Sequence, residues 1–113
     1  MDGYRVEKLV FESRPHNPVT AALFVPAGLS APAPAILHLS GHSKPSFRYP
    51  NYQAVILNLV RKGFVVLAID EVEQGERLQY TDAELGQLGW HDIPGVQVYL
   101  TGGSLAQEVV WDG

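Results

Sequence analysis

Three observations predict an α/β fold. The opening is rich in β-branched and aromatic residues around a Pro/Asn turn, as in an N-terminal antiparallel hairpin. Two short apolar runs follow, Ala35 to Leu39 and Phe64 to Ile69. Between them lies a stretch of helical periodicity, and a crossover of that length joins parallel strands in a βαβ unit. Chemistry in such sheets gathers in loops at the carboxyl ends of the strands, so Gly41 to Ser43 and Asp70 to Arg77 are the segments to inspect.

Taken in order, Tyr4 to Ser13 alternates loosely between β-formers and charge, and Thr20 to Val25 is a second strand after the turn Arg14-Pro15-His16-Asn17-Pro18. Pro26 to Pro34 is a connecting loop. Ala35 to Leu39 is short and apolar, as expected of a strand covered on both faces. Tyr52, Val55, Ile56, Leu59 and Val60 trace one apolar stripe of a helix that Asn51 is placed to cap and Gly63 to end. Phe64 to Ile69 is the second buried strand. Thr81-x-x-Glu84 reads as a capping box for a short helix limited by Gly86 and Gly89. Farther on, Val96 to Leu100 is expected to be a strand and Ser104 to Asp112 a helix.

Composition narrows the function classes. At 113 residues, 46% hydrophobic and 18% charged, the chain is long enough for one domain and one core. A net charge of −4, with Lys and Arg scattered, gives no electrostatic footprint for nucleic acid or an anionic membrane, and neither is an expected partner. With no cysteine there are no disulfides or thiolate metal ligands, which suits either the cytoplasm or secretion with a signal removed. No run is long enough to span a bilayer, and the chain is expected to be soluble.

Two serines invite a nucleophilic reading. Gly41-His42-Ser43 follows a strand as a Gly-x-Ser-x-Gly elbow would, but Pro45 stands at the second glycine position. Pro45 and Pro50 also obstruct a helix that would have to begin at once. Gly103-Ser104 is a second candidate, yet Ser104-x-x-Gln107 is also a helix-start pattern in which the hydroxyl accepts a backbone N–H bond, and we read Ser104 as a cap. Of the four histidines, His16 falls in a turn, His38 inside a buried strand as a hydrogen-bonded core residue, and His42 beside the candidate loop. His91 falls in a loop, and the four show no metal-ligand spacing. Glu71, Glu73 and Glu76 are expected to be solvated loop charges, with Asp70 and Arg77 tethering that loop through hydrogen bonds and a salt bridge.

Together, the hairpin, Pro34-Ala-Ile-Leu-His-Leu-Ser-Gly-His-Ser43, Gly63-Phe-Val-Val-Leu-Ala-Ile-Asp70, Gln74-Gly75-Glu76-Arg77 and Trp111-Asp112 resemble the N-terminal half of an α/β-hydrolase. The branch resembled is that of acetyl xylan esterase-like and dienelactone hydrolase-like enzymes, from about Tyr4 to Asp112. The resemblance implies a partial α/β-hydrolase fold, a three-layer sandwich, with residues 1–113 the N-terminal part of a longer domain. It also implies hydrolysis of carboxylic esters through an acyl-serine intermediate, with no metal or organic cofactor. Gly41, His42 and Ser43 then become candidates for oxyanion and substrate binding, the alternative being a tight strand-end turn. Asp70, Gly75, Glu76 and Arg77 become a structural loop.

The family order, with acid and histidine after the serine, finds Glu108 and Asp112 beyond Ser104 but no histidine. No catalytic residue of the family can therefore be carried onto this chain, and Ser104 is the weak remaining candidate. Three readings follow: part of an esterase, silent by itself, whose substrate is a small-molecule or carbohydrate ester; a complete miniature hydrolase using Ser104 with His42 or His91; or a non-enzymatic module that binds or self-associates through an open sheet edge.

Overall fold

The computed structural model describes residues 3–113. Four strands form one mixed sheet in the order β1-β2-β4-β3: β1 is Tyr4–Arg14, β2 Asn17–Pro26, β3 Ala35–His38 and β4 Val65–Ile69. β1 and β2 are the expected hairpin, with Tyr4 opposite Pro26 and Phe11 opposite Val19, and the register shifts between Glu12 and Arg14 before the turn. His16 takes φ +64° there, a left-handed conformation that a tight reversal requires. β2 runs antiparallel to β4 and β3 runs parallel to it, Ala35 facing Val65 and His38 facing Ala68.

The helix α1, Pro50–Arg61, makes the βαβ crossover. Its start corrects the expected Asn51 cap: Tyr49 is the N-cap without a side-chain bond, and Pro50 occupies the first turn, where its missing N–H costs nothing. At the other end Gly63, at φ +92°, turns the chain toward β4 while its N–H donates to the Val60 carbonyl. The buried stripe is rotated from the expected one. Ile56 and Val60 are buried, whereas Val55 is exposed and Gln53 faces inward to donate to the Phe47 carbonyl at 2.8 Å.

Period-two alternation sorts the strand side chains onto two faces. Ala22, Phe24, Val66 and Ala68 pack against Ile56, Val60 and Phe47 on the α1 face. Val19, Ala21 and Ile69 form a smaller cluster on the other face, with Leu9 and Leu67 packed against it. Leu37 is 46% exposed and Leu39 49%, so β3 is not covered on both faces as its apolar run had implied. β3 pairs only with β4 and is an edge among the described residues.

Three short helices complete the chain: α2 Asp82–Leu85, α3 Asp92–Leu100 and α4 Leu105–Asp112. The Thr81 capping box is formed in full, its hydroxyl accepting from the Glu84 N–H and the Glu84 carboxylate accepting from the Thr81 N–H. α3 overturns the strand expected at Val96 to Leu100. Pro94 sits in its first turn, where proline is tolerated, and the Asp92 carboxylate accepts the Gly89 N–H at 2.6 Å; the β-branched content that favoured a strand has no sheet edge beside it. α1 is one layer and the sheet the next; α4 borders the opposite face at its end, where Gly113 lies against Leu39.

Candidate functional site

The carboxyl ends of β3 and β4 bring together the two loops singled out by sequence. The loop after β3 is held by the loop after β4 through two bonds: the Ser43 N–H donates to Gln74 Oε1 at 2.8 Å, and the Gly75 N–H donates to the Lys44 carbonyl at 2.8 Å. Gln74 is buried and passes its amide N–H on to the Glu71 carboxylate at 3.2 Å. The Ser43 N–H is thus already committed to the protein. The N–H groups of Gly41 and His42 donate to no acceptor among the described residues. A Cβ at Gly41 would press on the Tyr52 hydroxyl, so the bare backbone lets the end of that ring approach the loop.

These loops open onto a cavity of about 350 Å³ lined by Ser40, Gly41, His42, Glu71, Gln74 and His91, with α4 supplying an apolar wall. Within this region the Ser40 hydroxyl and His91 Nδ1 are buried with no protein partner. Burial pushes the Glu71 carboxyl up from its ordinary value, against the bond from Gln74 and the nearby Arg77 charge. Burial likewise pushes up Glu73, a fully buried side chain at φ +60° that accepts the Gln79 N–H through one oxygen and leaves the other unpartnered. Neither carboxyl is the solvated loop charge expected from sequence. Glu76, by contrast, is exposed and held below its ordinary value, first by the hydrogen bond from Lys8.

Asp70 and Arg77 both tether the loop after β4, each through its own ion pair. Asp70, with its side chain fully buried, pairs with Arg48 at 2.7 Å and accepts from Thr20 Oγ1 at 2.7 Å and the Glu76 N–H at 3.2 Å. Arg77 donates to the Asp70 backbone carbonyl and forms its ion pair with Asp112, at 2.6 Å. Gly75 is required between them: its φ is +61°, and any Cβ would run into the Asp70 carboxylate. Asp112 also accepts from Ser13 Oγ at 2.6 Å and Asn17 Nδ2 at 2.9 Å, so one carboxylate ties α4 to the hairpin turn and the β4 loop.

The remaining candidates fall outside this cluster. Ser104 is the N-cap of α4, its Oγ accepting from the Gln107 N–H at 3.2 Å, and no serine hydroxyl is bonded to a histidine among the described residues. Glu108 pairs with Arg14. His16 stays in its turn, while His38 stands against Tyr52 with Nε2 buried and unpartnered, not hydrogen-bonded as expected; burial lowers its pKa. Among the described residues no group of three or more His, Cys, Asp or Glu is placed to hold a metal ion, and no helix is long and apolar enough to cross a membrane. Sequence reasoning missed Arg48, Gln74 as a bridge, and Trp90. Arg48 reaches Asp70 and Trp90 packs on the His42 ring from a different loop, and only the topology brings them in.

No family model and no curated protein sequence matches the chain. Solved structures do. A proposed acetyl xylan esterase from Bacteroides fragilis superposes with a TM-score of 0.72 over 98% of this chain and 33% of its own, at 25% identity. Brefeldin A esterase, a bacterial homologue of human hormone-sensitive lipase, superposes with a TM-score of 0.55 over 65% of this chain and 21% of its own, at 19% identity. The mixed sheet and its helices form part of an α/β-hydrolase-like fold, and the neighbours that share it are esterases. More particularly, the chain is similar to acetyl xylan esterase-like proteins and spans about a third of the length of the one it matches over nearly all its residues.

Proposed function

We propose that this chain is the part of a serine-type carboxylic ester hydrolase that supplies the oxyanion loop, acting on carbohydrate esters such as acetylated sugars. The observation that carries this reading is the pair of uncommitted N–H groups, Gly41 and His42, at the end of β3 beside the cavity. Ester hydrolysis develops negative charge on the carbonyl oxygen, and preorganised backbone donors stabilise it at no reorganisation cost. Gln74 and Gly75 fix the loop that presents those donors. In this reading nucleophile, acid and base come from outside residues 1–113, so the isolated chain turns over p-nitrophenyl acetate no faster than a Ser104→Ala control. Saturable turnover abolished by Ser104→Ala would instead support the miniature hydrolase.

The direct test exchanges this segment for the matching third of the Bacteroides fragilis protein and measures hydrolysis of p-nitrophenyl acetate beside the unaltered parent. The graft is expected to be active. His42→Ala keeps the donor, whereas His42→Pro removes it and is expected to lower kcat by about 10²–10³-fold. A folded graft in which both variants are equally active would reject the oxyanion role.

A second reading is favoured by the open edge of β3. Its outward N–H and C=O groups and half-exposed Leu37 and Leu39 offer a template for pairing with another copy, and it carries neither proline nor an inward charge as protection. Sedimentation at micromolar concentration is expected to show association that Leu37→Lys weakens. A monomer with concentration-independent, cooperative melting would argue against this pairing.

A further inference from the structure

The loop after β3 touches the α2–α3 connection through a small ring cluster. The His42 ring lies 4.8 Å from Trp90 and 4.8 Å from His91, and Trp90 and His91 lie 5.5 Å apart, centroid to centroid. Two polar atoms in it, Trp90 Nε1 and His91 Nδ1, are buried with no hydrogen-bond partner. Such an arrangement is held by ring packing while the His91 imidazole is neutral. It offers no hydrogen-bond acceptor to a proton on the buried His91 Nδ1.

We propose that the His42–Trp90–His91 stack is an acid-released latch: it holds the α2–α3 turn over the loop after β3 at neutral pH, and protonation of His91 lets the turn go. The surrounding charges leave that direction intact. Burial is the largest influence on His91 and lowers its pKa, the charge of His42 lowers it further, and Asp92 alone opposes them. The Asp92 carboxylate already accepts the Gly89 N–H. From the β4 loop, Glu71 is itself pushed toward its neutral form by burial and bonded to Gln74, and the α4 wall of the cavity carries no charge. Lys44, on the loop after β3, pairs with Asp82 of α2, a second link between the same two regions.

The sign follows from linkage. A histidine whose pKa is lower in the closed form than its ordinary 6.5 binds more protons when released, so the latch is intact above 6.5 and is lost as pH falls through the lowered value. Release of one proton-binding site changes the open-to-closed ratio by up to about tenfold per pH unit across that window. The latch itself does not depend on the esterase reading; only its consequence, acid-widened access to the cavity, rests on that reading.

Nuclear magnetic resonance on the full chain between pH 8 and pH 5 tests it without any activity. His91 should titrate below 6.5, the Trp90 indole resonance should move with the same midpoint, and ring-to-ring Overhauser contacts between His42 and Trp90 should be lost. The Trp111 indole, bonded to the Ser13 carbonyl, should stay put. In His91→Phe and His91→Gln the Overhauser contacts between His42 and Trp90 should persist down to pH 5. A His42–Trp90 contact that persists once His91 is protonated overturns the proposal. So does an acid loss of the His42–Trp90 contact that survives in both His91 variants, or a His91 midpoint at or above 6.5.

Discussion

The sheet with α1 and the three C-terminal helices are held by different forces. In the first, apolar burial dominates: Val66, Ala68, Ile56 and Val60 are sealed between sheet and helix. In the second, Leu85 is buried but Tyr99 is 76% and Trp111 59% exposed, and the fastening is largely polar. Asp112 to Arg77, Ser13 and Asn17, Glu108 to Arg14, and Asp82 to Lys44 are its ties. A densely packed core resists local opening, whereas a segment anchored at a few charged points opens when one is lost. The candidate site lies where the two regions meet. Gly41 and His42 come from the loop that follows β3, and the apolar wall from the tethered helix α4.

Four changes bear on this contrast, from the largest expected effect to the smallest. Asp112→Ala leaves Arg77 buried without its partner, since the Asp112 side chain is fully buried and that of Arg77 9% exposed. Such a loss costs about 3–5 kcal/mol, and it should detach α3 and α4 in circular dichroism and limited proteolysis while the sheet survives. Ile56→Ala should cost about 2–5 kcal/mol in chemical denaturation and act globally, because it opens a cavity in the shared core. If Ile56→Ala instead loosens only the C-terminal helices, the contrast is broken. Ser104→Ala should cost about 0.5–2 kcal/mol and Ser104→Asp almost nothing, as for a cap. A stabilised Ser104→Ala in thermal melts would count against capping, since functional residues in strained positions often stabilise when removed. Val55→Ala, on the exposed face of α1, should change stability by less than about 0.5 kcal/mol, which would locate the true helix stripe.

How much was legible follows the same division. The hairpin, the two parallel strands, the crossover helix and the Thr81 box were readable because period-two and helical apolar spacing report burial directly. The position of α3 was not, since Val96, Val98 and Tyr99 carry β-propensity that only the absence of a neighbouring strand overrules. The candidate loops were identified, and so were Asp70 and Arg77 as tethers, but not what they pair with. The fold gives each a different partner, Arg48 across the crossover and Asp112 from the far end of the chain. Charge pairing over 35 residues leaves no local pattern to read. The same holds for the Gln74 bridge that removes Ser43 from the set of free donors.

The central claim is that packing holds the sheet while polar ties hold the helices beside the site. Amide hydrogen exchange on the intact chain, compared with Asp112→Ala, measures this most directly. The account predicts slow exchange in β2, β4 and α1 of both proteins, with protection in α3 and α4 of the intact chain collapsing in the variant. Protection in α3 and α4 that survives Asp112→Ala, or a loss that spreads equally into β4 and α1, would contradict it.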